Sequence, residues 1–398
     1  MAKSPLHNIV RLYIIKAAKW FMLIMPIVVL FYQENGLGMK EVFILQAIYS
    51  ISIVMLEIPS GYFADALGRK NTLIIGSILG FLGYLVYSFS FGFWGFLAAE
   101  MVLGFGQSLI SGADSALLYD TLLQSKREKD YMKHEGRMIS AGNFAEALAG
   151  IAGGLLAAIS LRYPYYFQTG IAFMAVPASL TLYEPKVYGE MVKMTFGKIV
   201  GVVRFALIEN KKLRSNILYS SIVGASTLTM AWFVQPWFIR AELPVTMFGV
   251  LWTLLNLSVG ISALFAYKFE RFLGARTTVI AINISLALGF MGAAILESYW
   301  GLLFLLIFYL ARGIATPVLK DYINRITTSD IRATILSVRN FVIRIIFALW
   351  GPFYGWYTDA FGLGGAIIIA GLVFIVLAGT SYIFFVKYNF PKLEHNKL

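Results

Sequence analysis

Twelve apolar stretches, each long enough to cross a bilayer as a helix, constrain this chain more than any other feature. A spanning helix needs about 20 mostly apolar residues. With 59% hydrophobic and 14% charged residues, the chain exceeds the apolar share that a soluble fold can cover. The sequence therefore predicts an all-α membrane protein, whose predicted spans are residues 12–32, 41–63, 71–91, 94–122, 138–160, 163–183, 215–239, 246–266, 278–297, 300–319, 332–356 and 361–387.

Lysine and arginine are distributed unequally between alternate loops. If the N-terminus lies inside, 25 of them fall in inner loops and termini, and three (Lys40, Arg162 and Arg240) fall in outer loops. Basic residues are enriched on the cytoplasmic side of membrane proteins. This asymmetry predicts a multi-pass protein of the plasma (bacterial inner) membrane with both termini cytoplasmic. It also explains the net charge of +12 without a nucleic-acid partner.

The longest polar stretch, residues 184–214, divides the chain into two predicted six-helix bundles, 1–183 and 215–398. Within this linker, residues 194–208 are apolar enough to lie along the membrane surface, and a simple solvated linker is an equal alternative. The two bundles contain related sequences: an acid, a glycine and an arginine follow both the second and the eighth span, in residues 61–70 and 266–276. Such repeats are typical of transporters in which two halves move around a central site.

Residues 61–70 read GYFADALGRK and match the pattern G-x-x-x-D-x-x-G-R-[RK] at every fixed position. This segment resembles the signature loop between the second and third helices of the major facilitator superfamily. Residues 57–61 (EIPSG), 111–120 and 324–337 resemble a bacterial exporter-like branch with an E-x-P-[ST]-G second helix. The resemblance implies twelve transmembrane helices in two pseudo-symmetric six-helix bundles, with transport by alternating access.

The resemblance also implies a conformational latch on the cytoplasmic side. In this family pattern Arg69 pairs with an acid at the end of the fourth helix, which is Asp120 here, and Asp65 faces Arg332 at the start of the eleventh. The latch favours the outward-open state and must break for inward opening. The alternative is that Arg69 and Lys70 only set the membrane topology. The predicted latch residues are Gly61, Asp65, Gly68, Arg69, Lys70, Asp120 and Arg332.

Ionisable residues inside membrane spans are costly and mark candidate functional sites. Desolvation favours the protonated form of a carboxyl group, so an acid inside a span can carry a proton. We expect Asp114 to be the proton carrier, with Glu146 and Glu57 in reserve. The alternative is a structural salt-bridge network that joins helices. Lys16 and Lys19 lie near the inner face, and we expect them to extend toward the headgroups.

Polar residues recur at helical spacing along several spans, as Glu100, Gln107, Ser111 and Asp114 do in the fourth. Because a polar stripe facing lipid is expensive, these stripes predict a wet substrate pathway. Two intramembrane arginines would hold counter-charge or an anionic group of the substrate. The predicted pathway residues are Glu100, Gln107, Ser111, Gln235, Asn256, Arg312, Asn340 and Arg344.

Several classes of chemistry lack their residues in this sequence. It has no P-loop, no cysteine and only three well-separated histidines, so nucleotide, thiolate and zinc sites are not expected. The sequence predicts a secondary transporter that is not an enzyme, needs no cofactor, works as a monomer in the lipid bilayer and exports small amphipathic molecules with the proton gradient. The alternatives are proton-coupled uptake of a nutrient or organic anion, and a non-transporting sensor. Residues 149–154 (AGIAGG) lack the proline of the antiporter element G-P-x-x-G-G, which weakens antiport.

Overall fold

The computed structural model describes residues 6–185, 196–296, 298–328 and 331–389, without the side chains of residues 57–66, 132, 139, 196 and 333. These ranges hold no strand, which agrees with the predicted all-α class. The helices are α1 His7–Trp20, α2 Val28–Glu34, α3 Met39–Leu67, α4 Arg69–Phe89, α5 Phe93–Ile110, α6 Ala113–Gln124, α7 Tyr131–Ala157, α8 Tyr163–Leu180, α9 Phe196–Arg204, α10 Lys211–Arg240, α11 Val245–Leu273, α12 Ala275–Ile295, α13 Gly301–Arg325, α14 Arg332–Phe361 and α15 Leu363–Asn389.

Ten helical segments within the described ranges are long and apolar enough to cross a membrane. The other two predicted spans correspond to α1 with α2, and to α8, which has 18 residues. All backbone polar groups of a membrane segment must be satisfied internally, and a helix does so by itself. The predicted spans therefore correspond to helical segments along the whole described chain.

Two predicted spans are interrupted, which corrects the expectation of continuous helices. The first breaks at residues 21–27, where Pro26 lacks a backbone N–H. The buried side chain of Gln168 in α8 accepts a hydrogen bond from the Leu23 backbone N–H at 2.8 Å. The fourth breaks between α5 and α6, where Gly112 has a φ of +88°. Glycine adopts this conformation readily because it has no Cβ, and other residues disfavour it. The predicted stripe from Glu100 to Asp114 is therefore not one continuous helical face.

The chain forms two compact units. Unit 1 contains residues Met1–Lys193 and Leu243–Leu254, and unit 2 contains Met194–Glu242 and Leu255–Leu398. In unit 1, α5 packs against α3 and α4, α8 packs against α4, and α1 packs against α7 and α8. In unit 2, α12 packs against α13 and α15, and α10 packs against α13, α14 and α15. A positive-φ glycine precedes both α4 (Gly68, +87°) and α12 (Gly274, +78°), so the sequence repeat is also a backbone repeat.

The linker helix α9 continues into a π-helical turn, Phe205–Glu209, within unit 2. Val202, Val203 and Leu207 pack against a buried cluster formed with α10, α13 and α14. Lys198 and Arg204 are exposed. The apolar side of this segment is therefore covered at least partly by protein, where the sequence predicted either a membrane surface or solvent.

Candidate functional site

The structure brings together the predicted pair Arg69 and Asp120. One guanidinium nitrogen of Arg69 contacts the Asp120 carboxylate and donates a hydrogen bond to the Ala116 carbonyl at 2.6 Å. Both charged side chains are mostly buried. Hydrogen bonds between ionised partners are about twice as strong as neutral ones, and breaking a buried pair leaves a buried charge without a partner. Arg69 therefore joins the first turn of α4 to the C-terminal half of α6.

Glu184, which the sequence analysis did not single out, binds the N-terminus of α4. Its carboxylate accepts hydrogen bonds from the backbone N–H groups of Arg69 at 2.9 Å and Lys70 at 2.7 Å. A Cβ on Gly68 would lie 3.3 Å from the Glu184 carboxyl carbon. The first N–H groups of a helix lack internal partners and favour negative charge. The available signal was an acid directly after the sixth span.

We expect Glu184→Ala to lower the free energy of unfolding by about 0.5–2 kcal/mol, the usual cost of losing a helix N-cap side chain. Thermal unfolding of the purified protein in detergent, followed by tryptophan fluorescence, measures this effect. Glu184→Gln keeps an acceptor oxygen and should lose less. Equal unfolding temperatures for Glu184→Ala and the unchanged protein would contradict the capping role.

Three of the predicted residues have side chains outside the described part of the chain. They are Glu57, Gly61 and Asp65. Arg332 is exposed and donates a hydrogen bond to the Thr327 carbonyl at 3.2 Å. The proposed contact between Asp65 and Arg332 therefore stays a prediction, as does the reserve role of Glu57.

Asp114, the expected proton carrier, forms an ion pair with Lys16. The ammonium nitrogen of Lys16 lies 2.9 Å from Oδ2 of Asp114, and both side chains are largely buried. Oδ1 of Asp114 accepts a hydrogen bond from the backbone N–H of Ser115 at 2.8 Å. The expectation that Lys16 extends to the headgroups is wrong, because a buried carboxylate offers the ammonium a closer counter-charge. The pair connects α1 with the first turn of α6.

Glu100 lies in a separate group, here called the Glu100 cluster, formed by Glu100, Tyr32, Gln46 and Tyr87. Oε1 of Glu100 accepts hydrogen bonds from the Tyr32 hydroxyl at 2.8 Å and from Nε2 of Gln46 at 2.5 Å. The hydroxyls of Tyr32 and Tyr87 contact each other. Glu100 is 5% exposed, and the other members are buried too. Asp114 and Glu100 thus have different partners.

The other predicted pathway residues are divided between the units. In unit 1, Gln107 is half-buried, Ser111 is exposed beside the helix break and Glu146 is half-buried. In unit 2, Gln235 is buried, Asn256 and Arg344 are half-buried, Asn340 is exposed, and Arg312 lies 5.7 Å from the Tyr309 ring centre. Their participation in one common pathway stays a prediction.

Arg339, which was not among the predicted site residues, is buried in unit 2 at 5% exposure. Its guanidinium donates to Oγ of Ser220 and, at 3.3 Å, to Oδ1 of Asn340. Among the described residues, no acid forms an ion pair with Arg339, Arg312 or Arg344. The only signal for Arg339 was a basic residue inside the eleventh span, since its partners lie far away in sequence.

Arg162, predicted only as an outer-loop residue, joins the ends of three helices of unit 1. Its guanidinium donates to the Ser88 and Ser90 carbonyls at 3.1 and 2.9 Å and to Oδ1 of Asn35 at 2.8 Å. A cation at the end of a helix stabilises its unpaired carbonyls. Arg162 therefore fixes the C-terminus of α4 next to α2 and α8.

The fifth span approaches the first turns of α11 closely, within unit 1. A Cβ on Gly154 would lie 2.8 Å from the backbone nitrogen of Gly249, so both positions need glycine. Thr253 also donates a hydrogen bond to the Ala147 carbonyl at 3.2 Å. Small residues allow such backbone contacts in membranes. The glycines of AGIAGG therefore pack helices closely without the proline of the antiporter element.

Comparison with known sequences relates the chain to membrane transporters. The profile of the Major Facilitator Superfamily matches residues 12–224, which is more than half of the chain. The quinolone resistance protein NorA of Staphylococcus aureus is 24% identical over 165 residues, or 41% of this chain and 42% of NorA. The match thus spans less than half the length of that relative. The uncharacterized MFS-type transporter YxaM of Bacillus subtilis is 19% identical over 359 residues, covering 88% of this chain and 89% of YxaM.

Solved structures share the fold at low sequence identity. The nucleoside transporter NupG superposes with a TM-score of 0.80 at 16% identity, covering 96% of this chain and 99% of NupG. A bacterial homolog of the human lysosomal transporter Spinster, in an inward-facing and unoccupied conformation, gives 0.76 at 13% identity, with 98% and 97% covered. These similarities establish the fold of twelve helices and carry no information on substrate.

Proposed function

The chain belongs to the Major Facilitator Superfamily and is a multi-pass membrane transporter rather than an enzyme, and we propose that it uses the proton gradient to export small amphipathic molecules. The observation that carries the proton coupling is the buried ion pair of Asp114 and Lys16. The partial similarity to NorA, a quinolone resistance protein, supports the direction and the substrate class. No cofactor is part of this proposal, and the energy source is the proton gradient.

The proposed coupling begins with protonation of Asp114. The neutral acid no longer balances the Lys16 ammonium, and a buried charge without a partner is strongly unfavourable. Lys16 must then move toward water or toward another acid, and α1 must move relative to α6. Glu146 and Glu57 are the reserve candidates for the same role.

Helix α6 carries the proposed proton-binding residue and one residue of the latch. Asp114 lies in its first turn, and Asp120, the partner of Arg69, lies near its other end. Gly112 directly precedes α6 and separates it from α5. We infer that α6 turns about Gly112 when the Lys16 contact is lost, so that protonation is transmitted to the Arg69–Asp120 latch. A break that isolates a short helix is a natural hinge.

The test is flux in proteoliposomes with an imposed pH gradient. Lipophilic cations, neutral drugs and organic anions are screened, and protein-free vesicles give the background. The proposal expects a cationic or neutral amphipathic compound to move against its gradient only when the proton gradient is present. A flux that is the same with and without the proton gradient would contradict the proposed coupling. Absence of flux for every class would favour the non-transporting sensor.

Unit 2 supports a second candidate function, proton-coupled uptake of an organic anion or nutrient. Arg312, Arg339 and Arg344 lie inside predicted spans, and no described acid forms an ion pair with them. Cations inside a membrane protein favour an anionic ligand group. In the same flux screen this candidate predicts accumulation of an organic anion together with protons, so direction and substrate charge separate the two functions.

A further inference from the structure

We propose that Glu100 is a second proton-binding site of unit 1, distinct from Asp114. Glu100 is 5% exposed, and its two hydrogen-bond donors, Tyr32 and Gln46, are both neutral. It forms no ion pair with any described residue. A buried carboxylate without a cation is so unfavourable that the group takes up a proton instead. We therefore assign Glu100 as a neutral acid.

The titratable groups that face Glu100 from the surrounding helices are tyrosines. Tyr32 comes from α2, Tyr84 and Tyr87 from α4, and Tyr165 from α8, and all four interact with it electrostatically. Arg162 acts electrostatically on Tyr165, and its guanidinium donates hydrogen bonds to Ser88, Ser90 and Asn35. No basic side chain among the described residues compensates a negative charge on Glu100.

A second observation identifies a route for the proton. The hydroxyl of Tyr165 is buried and has no hydrogen-bond partner in the described structure. Its ring lies 5.3 Å from the Tyr87 ring, and the Tyr87 hydroxyl contacts that of Tyr32, which donates to Glu100. A buried hydroxyl without a partner is typical of a site for an ordered water. Tyrosine side chains thus extend from the carboxyl group to Tyr165 in α8.

The position of Glu100 gives the site a role in the cycle. This step rests on the proposed proton coupling and on the predicted orientation of the chain. Glu100 lies in the N-terminal half of α5, on the predicted outer side, whereas Asp114 follows the helix break on the predicted cytoplasmic side. Glu100 binds a proton from the outer side and releases it when its cluster opens. Unit 1 then holds two carboxyl groups at different depths for one proton pathway.

Infrared spectroscopy of the purified protein in nanodiscs, at neutral pH and without substrate, tests the site directly. We expect the C=O band of a neutral carboxylic acid in the unchanged protein and its loss in Glu100→Gln. Glu128→Gln removes an exposed carboxylate and should leave the band in place. Tyr32→Phe should keep the band but shift its frequency, because the Tyr32 hydroxyl donates to Oε1. Absence of the band in the unchanged protein, or a band that persists unchanged in Glu100→Gln, would overturn the proposal.

If Glu100→Gln does not fold, Tyr32→Phe alone decides, since it retains the carboxyl group. A shifted band supports the site, and an unshifted or absent band overturns it. The readout needs neither substrate nor gradient, so it is independent of the export proposal. In proteoliposomes, Glu100→Gln should lose gradient-driven transport and keep substrate exchange, and full gradient-driven transport in this variant would overturn the role in the cycle.

Discussion

Asp114→Asn is expected to reduce proton-driven transport to the level of protein-free vesicles, while substrate exchange without a gradient persists. Asparagine cannot take up the proton, and it leaves the Lys16 ammonium buried without its counter-charge. Removing one partner of a buried ion pair costs about 3–5 kcal/mol of stability, so the variant should also unfold at lower temperature. Flux under an imposed pH gradient, exchange without one, and thermal unfolding measure the three effects.

The double variant Lys16→Met/Asp114→Asn separates the structural effect from the coupling effect. The Lys16–Asp114 pair is then absent, but Lys19, which also interacts electrostatically with Asp114, keeps its charge. We therefore expect part of the lost stability to return while gradient-driven flux stays absent. Asp130→Asn removes the partner of Arg127 in a much more exposed pair, which contributes about 0–1 kcal/mol, and should leave transport intact. Gradient-driven transport in Asp114→Asn would show that Asp114 has only a structural role.

Arg69→Gln is expected to open the latch in the C-terminal half of α6. Glutamine cannot balance the negative charge of Asp120, and breaking a buried ion pair costs about 3–5 kcal/mol. Every 1.4 kcal/mol changes the equilibrium between the closed and the open latch tenfold. The chain contains no cysteine, so Ala116→Cys introduces the only thiol, beside the carbonyl that Arg69 contacts. We expect the rate of maleimide labelling at this thiol to rise about tenfold or more when Arg69 is replaced.

Two further variants provide the controls for the latch. Arg127→Gln removes a cation whose side chain is about half exposed and should not change the labelling rate of the Ala116→Cys thiol. Combining Arg69→Gln with Asp120→Asn should add little to the effect of either change alone, because the two residues act through one contact. Equal labelling with and without Arg69 would favour the alternative that Arg69 and Lys70 only set the topology.

The helical spans could be predicted because burial in lipid requires long apolar segments, and hydropathy reports that length directly. The breaks at residues 21–27 and at Gly112 could not, because they depend on backbone conformation and on a distant partner such as Gln168. The Arg69–Asp120 pair came from a local motif and a family resemblance. The prediction for Lys16 was wrong and Glu184 was not predicted, because their partners lie 98 and 115 positions away along the chain. Helical periodicity reports only contacts between residues that are close in sequence.

The hydrogen bonds between Glu184 and the first turn of α4 link the connector between the two units to the latch. Glu184 lies where the chain leaves the sixth span, directly before Pro185 and the polar segment that leads to unit 2. A pull on that segment acts on the carboxylate and, through two backbone hydrogen bonds, on Arg69 and Lys70. Tension in the connector can therefore reach the latch through the first turn of α4. Shortening or lengthening the connector then becomes a way to tune how readily the transporter changes state.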